Sequence, residues 1–246
     1  MSLVLKKVER PRELKWYQAS SMLYGDWGTS KAYVLGLAFA IAGHASLFFL
    51  LAMSVLTVII GCCYVIICKA YPDGGGVYSA VRSRSRELAV VGALLLVADY
   101  VITVALSSLE AFHYFGINNP AQWAIGAILL IGAINVFGPK NSSNAAGVIA
   151  LAVLACLSVL CVAVLPHIRE VQITLPQGPF FSNWTKFVGI VLALSGIEAI
   201  ANVTGIMVEP VKRTAKHAIL PVLIEVTVVS LILGAAMNAI PGLSGR

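Results

Sequence analysis

Seven long apolar runs, separated by short polar stretches, make up nearly the whole chain. The first extends from about Leu14 to Gly43, too long for one straight crossing of about 20 residues. It is interrupted by Tyr24-Gly25-Asp26-Trp27-Gly28-Thr29-Ser30, with Lys31 next. Glycine weakens a helix by roughly 1 kcal/mol relative to alanine, and a charge at the bilayer centre is costly. The composition therefore predicts a helix that stops, surrounds a small polar cavity and starts again. Segment two covers Ser46 to Cys68 without interruption, and segment three covers Leu88 to about Phe115. Segments four and five run from about Ala121 to Phe137 and from about Ser143 to Leu165. Segment six, Trp184 to Val208, stops at Glu209-Pro210, and segment seven is expected over Pro221 to Ile240.

Composition agrees with this pattern. Of 246 residues, 59% are hydrophobic and only 11% charged, with a mean hydropathy of +0.90. Soluble domains carry about 25% charged residues, so the chain reads as an all-α integral membrane protein whose first partner is the lipid bilayer. The net charge of +6 does not point to nucleic acid, because its positive residues cluster beside apolar segments. The leader, the second-to-third loop and the sixth-to-seventh loop hold most of the Lys and Arg. That bias predicts a cytoplasmic amino terminus in a multi-pass protein of the plasma membrane. Cys62, Cys63, Cys68, Cys156 and Cys161 lie in apolar runs without metal-ligand spacing and read as small buried hydrophobes. No nucleophile–base pair or metal cluster stands out, so an enzyme is not expected.

The informative residues are the charges within the apolar runs: Asp26, Lys31, Asp99, Glu110, Glu198 and Glu225. Such groups rarely face lipid and mark a site or pathway by default. Asp99, Thr103, Ser107 and Glu110 follow at spacings that line one helix face. Ser195, Glu198 and Asn202 do the same in segment six, where Gly196 permits backbone distortion. Two glycine–acid breaks five spans apart fit an inverted repeat. Plainer readings stand beside these. Glu110 and Glu225 could reach headgroups at span ends, Tyr33 could be interior packing, and Lys31 could be a fixed counter-ion for Asp26 or Glu198.

The motifs resemble a known family. Tyr24 to Ser30 with Tyr33 resembles the first broken helix of the KUP and KimA-type potassium transporters, in the amino acid–polyamine–organocation (APC) superfamily. Asp99-Tyr100-Val101-Ile102-Thr103-Val104-Ala105 resembles the third helix of KimA-like permeases. Tyr71-Pro72-Asp73-Gly74-Gly75-Gly76-Val77-Tyr78 resembles the superfamily's glycine-rich loop. Ser195-Gly196-Ile197-Glu198-Ala199 with Glu209-Pro210 resembles the broken sixth helix. The resemblance implies a LeuT-type inverted-repeat fold and uptake of a cation together with a proton. Carried over by motif, the cation-binding residues are Asp26, Tyr33, Asp99, Thr103, Ser195 and Glu198, with potassium at Asp26, Asp99 and Glu198. Gly25, Gly28 and Gly196 are the helix-break glycines. Two departures matter. Lys31 replaces the usual proline, and seven spans fall short of the ten that the fold requires, so the chain is expected to be incomplete.

The expected division is a leader over 1–13, spans one to five over 14–165, an outer loop over 166–183, and spans six and seven over 184–246. No cofactor is expected beyond the transported potassium ion and proton. Unwound carbonyls, hydroxyls and carboxylates would replace water around the ion. Three acids in one cavity repel one another, so one is expected to hold a proton until a cation displaces it. Glu198, beside a glycine, is the expected switch, and Lys31 is the other candidate for coupling or charge balance. The alternative is an amino acid–proton symporter of the same superfamily, with the substrate carboxylate at the first break and Lys31 supplying positive charge. A second alternative is an inactive or regulatory half-transporter. A homodimer is left open.

Overall fold

The computed structural model describes residues 11–136, 138–171, 173–191 and 195–240. Among these the regular elements are all helical: α1 (Trp16–Leu23), α2 (Lys31–Ala42), α3 (Ser46–Ala70), α4 (Gly76–Arg82), α5 (Arg86–Tyr114), α6 (Pro120–Asn135), α7 (Pro139–Val164), α8 (Phe180–Ile190), α9 (Ala199–Asn202) and α10 (Val211–Ala239). Four helical stretches are long and apolar enough to cross a membrane: Trp16–Ala70, Arg86–Tyr114, Asn141–Glu170 and Val211–Ala239. The first contains α1, α2 and α3 in succession. Leu94, Leu95 and Leu129 are each about two-thirds exposed. An apolar surface of that extent requires lipid rather than water around it.

The first break is present and is shorter than full unwinding. Tyr24–Gly28 forms one widened, π-type turn, and Thr29 and Ser30 turn the chain into α2. The released carbonyls do not stay free. The Thr29 hydroxyl donates to the Gly25 carbonyl at 2.9 Å and the Ser30 hydroxyl to the Asp26 carbonyl at 3.1 Å. The Lys31 ammonium donates to the Gly28 carbonyl. The expectation that these oxygens face a bound ion is therefore corrected: the three residues after the break satisfy them, because leaving them unpaired in an apolar core is costly.

The sixth segment departs further from its prediction. It begins as α8 at Phe180, breaks at Ser195–Glu198, continues as the four-residue α9 and ends in extended chain. There Leu14 N–H donates to the Ile206 carbonyl at 2.9 Å and Val208 N–H to the Leu14 carbonyl at 3.0 Å. The last helix starts ten residues before the predicted Pro221, at Val211, so the basic residues Lys212, Arg213 and Lys216 are helical. Pro221 sits inside α10 and removes one helical donor. The run Lys212 to His217 reads as a basic loop in sequence, but Pro210 is the residue that flanks the helix.

Two cores hold the bundle. The larger gathers Leu23, Trp27, Ile197, Ile200, Met207 and Ile219 around the first break, α9 and α10. The other joins α2, α3 and the end of α8 through Val34, Leu35, Phe49, Leu50 and Ile190. Trp27, at the centre of the widened turn, has no exposed surface. Cys68 is buried, whereas Cys62, Cys63 and Cys156 are exposed on apolar helix faces, contrary to the reading of all five as buried. Arg12 ties one end of the bundle together. It donates to Asp73 Oδ1 at 2.8 Å and to the carbonyls of Pro72 and Thr204, and lies 3.4 Å from Glu209. The leader, the glycine-rich loop and the stretch before α10 therefore meet at one face, which also carries Lys15, Lys69 and Lys212.

Candidate functional site

The two breaks touch. Gly196 has φ +108°, a conformation that disfavours any residue with a Cβ, and a Cβ there would lie 2.7 Å from Trp27 N and 2.9 Å from Asp26 Cγ. Backbone rests on backbone because no side chain intervenes. Three acids gather around this contact. Asp26 presses its carboxyl carbon against Gly196. Glu198 accepts the Gly196 N–H with both carboxylate oxygens at 3.1 Å. Asp99, from α5, accepts the Ser195 hydroxyl at 3.0 Å. Thr103 Oγ1 lies 3.4 Å from Ser195 Oγ. The three carboxylates lie within electrostatic range of one another. Among the described residues, no Lys, Arg or His forms an ion pair with any of them.

Beside this contact is a cavity of about 540 Å³. Gly25 and Asp26 contribute the break side, Tyr100, Thr103 and Ser107 the α5 side, and Asn202 the α9 side. Its remaining wall is largely apolar, from Leu23, Val104, Ile131 and Ile200 among others. The predicted helix face is thus correct for Thr103 and Ser107. Glu110 does not share the cavity and sits 3.9 Å from exposed His113, as a span-end acid would. Tyr33 also lies outside the lining. Its hydroxyl donates to Ser30 Oγ at 3.1 Å, though the ring is within range of the charges of Asp26 and Asp99.

The structure therefore brings together Asp26, Asp99, Thr103, Ser195 and Glu198, with Gly25 and Gly196 at the contact. Gly28 works elsewhere: a Cβ on it would collide with the Tyr24 ring. Among the described residues, no three His, Cys, Asp or Glu side chains converge as ligands of a single metal ion. The carboxylates share a turn rather than a point.

Lys31 is not the counter-ion of Asp26 or Glu198. It is buried on the other side of the break, 2.8 Å from Glu225 Oε2 of α10. Tyr24 donates to Glu225 Oε1 at 3.3 Å, and its ring lies 5.0 Å from the Lys31 ammonium. Glu225 is only 17% exposed, which rules out the headgroup reading. The sequence does carry one signal for this pair: Glu225 and Lys31 are opposite charges that both lie inside apolar runs.

Tyr100 and Asn202 were also underweighted. Asn202 Nδ2 donates to the Tyr100 hydroxyl at 3.0 Å across the cavity wall. Each residue stood in a stretch already quoted, but only packing pairs them across 102 positions of sequence.

A search among curated proteins finds no match. A family model described as "Amino acid permease" matches residues 14–244. That span takes in both breaks, the acid cluster and the cavity, and the chain belongs to the amino acid permease family.

Proposed function

We propose that the protein carries an amino acid across the membrane and holds the substrate's ammonium group at Asp26, in the cavity between the first break, α5 and α9. The observation that carries the reading is the pairing of a family match over 14–244 with a cavity of about 540 Å³ that has a carboxylate in an otherwise largely apolar wall. A carboxylate in a low-dielectric wall favours a positive group strongly. The apolar wall suits an aliphatic or aromatic side chain. Lys31 supplies no charge to the substrate carboxylate, because Glu225 already holds it. The recognising polarity therefore runs opposite to the sequence expectation: amine to the first break, rather than carboxylate. The contact between the two breaks supports a LeuT-type inverted repeat in which they rearrange together. The charge bias supports an inward orientation of the basic face.

A cation reading keeps one observation in its favour. Asp99, Ser195 and Thr103 form a carboxylate–hydroxyl cluster without a paired base. Potassium could replace the ammonium group there. Both readings meet one experiment on the purified chain in lipid vesicles. Uptake of labelled leucine, phenylalanine and lysine is measured beside uptake of labelled rubidium, with Asp26→Asn as control. Amino acid uptake that Asp26→Asn abolishes supports the proposal. Rubidium uptake without amino acid uptake replaces it with the cation reading.

A further inference from the structure

The Lys31–Glu225 pair has no part in the cavity beside Asp26, yet it lies between two cavities of its own. The larger, about 200 Å³, opens between α1, α7 and α10. Trp16 and Tyr17 stand at its outer end, on the basic face, and both are nearly half exposed. Ser20, Ser21 and Tyr24 lead inward along α1, and Glu225 forms part of the inner wall. Beyond Lys31 is a small chamber of about 20 Å³, room for one water molecule. Ser54, Thr57, Thr227 and Ser230 contribute hydroxyls to a wall that is otherwise largely apolar. Trp27 Nε1 and Thr227 Oγ1, whose residues line it, are buried without a hydrogen-bond partner. Two orphaned buried polar atoms on residues of a water-sized chamber point to a resident water.

We propose that Glu225 is the proton-binding carboxylate of the transport cycle, reached by water from the basic face through the cavity between α1, α7 and α10, with Lys31 as its fixed counter-ion. This rests on the transport reading above and places the coupling proton on the opposite side of the break from Asp26. The proton passes from water in the cavity to a carboxylate oxygen of Glu225, directly or by way of the Tyr24 hydroxyl. No other bond changes. Lys31 keeps its proton throughout, so the pair goes from neutral to a single positive charge. The groups facing Glu225 are Tyr24 of the widened turn, Lys31 of α2 and Cys161 of α7. Once neutral, Glu225 no longer anchors the ammonium. Lys31 then depends on the Gly28 carbonyl and the Tyr24 ring face alone. That removes the ion pair tying α10 to the start of α2, and Gly28 is two residues from Asp26. Proton binding on one side of the turn thereby reaches the substrate carboxylate on the other. Glu198, the expected switch, lies on the Asp26 side of the break, where it holds the Gly196 N–H.

The test uses the whole chain in phosphatidylcholine–phosphatidylglycerol vesicles. Infrared difference spectra between neutral and acidic pH should contain a neutral carboxylic acid band that disappears in Glu225→Gln and persists in Glu198→Gln. A band unchanged in Glu225→Gln overturns the proposal. So does a wild-type spectrum in which no such band forms, the result expected if Lys31 released the proton instead. Should Glu225→Gln not fold, the double variant Lys31→Gln/Glu225→Gln leaves neither charge unpaired and must lack the band. In transport, Glu225→Gln should lose accumulation of labelled leucine driven by a pH gradient while retaining leucine exchange. Accumulation equal to wild type, or loss of exchange in both variants, overturns it. If no amino acid is carried at all, the amino acid reading fails, and the infrared result still decides whether Glu225 takes the proton.

Discussion

The two sides of the first break handle buried charge in opposite ways. On the cavity side, Asp26, Asp99 and Glu198 meet around Ser195–Gly196, and their observed partners are a hydroxyl and a backbone N–H. On the far side, Glu225 has a fixed ammonium at 2.8 Å, a phenol and, beyond Lys31, a water-sized chamber. A carboxylate cluster without an internal base remains available to a positively charged guest. A carboxylate with a built-in cation is charge-balanced when the site is empty. Both sides share five residues of widened helix, so a shift in one is felt by the other.

The sharpest way to break the comparison is to neutralise the open side. Asp26→Asn is expected to abolish uptake of labelled amino acid in vesicles while the protein stays folded; unaltered uptake would place the substrate elsewhere. Next in size is the closed side. Lys31→Met leaves Glu225 buried without a counter-ion, a change that typically removes about 3–5 kcal/mol. A large fall in melting temperature in detergent is expected, and Lys31→Met/Glu225→Gln should recover much of it. If the double variant is no better than the single, the two residues are not coupled. The contact between the breaks comes third. Gly196→Ala combines a strained backbone with overlap on Trp27, worth about 1–3 kcal/mol each. Uptake should fall even in protein that still elutes as a monodisperse peak. The smallest effect is expected at the basic face. Arg12→Gln removes ion pairs to largely exposed Asp73 and Glu209, worth about 0–1 kcal/mol. Melting should barely change, and a collapse comparable to that of Lys31→Met would mean that the Arg12 contacts hold the fold rather than merely cover one end of it.

Much of this contrast was legible from residue order. Glycine and acid within an apolar run predicted the breaks at Tyr24–Ser30 and at Ser195–Glu198, and helical spacing placed Thr103 and Ser107 on one face with Asp99. The partners of the charges were not legible. Lys31 lies five residues from Asp26 in sequence, yet a helix that widens and restarts turns it to the opposite side, where Glu225, 194 positions later, receives it. The carbonyls freed by the break looked available for an ion, but nothing in the order of residues shows that Thr29, Ser30 and Lys31 fold back on them. The start of α10 was missed for a different reason. A basic run, Lys212 to His217, interrupts the apolar pattern and reads as a loop, yet it forms the first turns of α10 outside the apolar stretch.

By itself the sequence determined that the chain is helical and lipid-embedded, where its helices are interrupted, and which acids lie within its apolar runs. Those properties depend on hydropathy, on the backbone freedom of glycine and on the cost of burying charge, all of which act locally. Tertiary structure decided which acids share a turn, which one has a permanent cation, and which side of the break faces a cavity. These are questions of direction between segments far apart in the chain, and a side chain's direction is set by how its helix packs, which residue spacing alone does not specify.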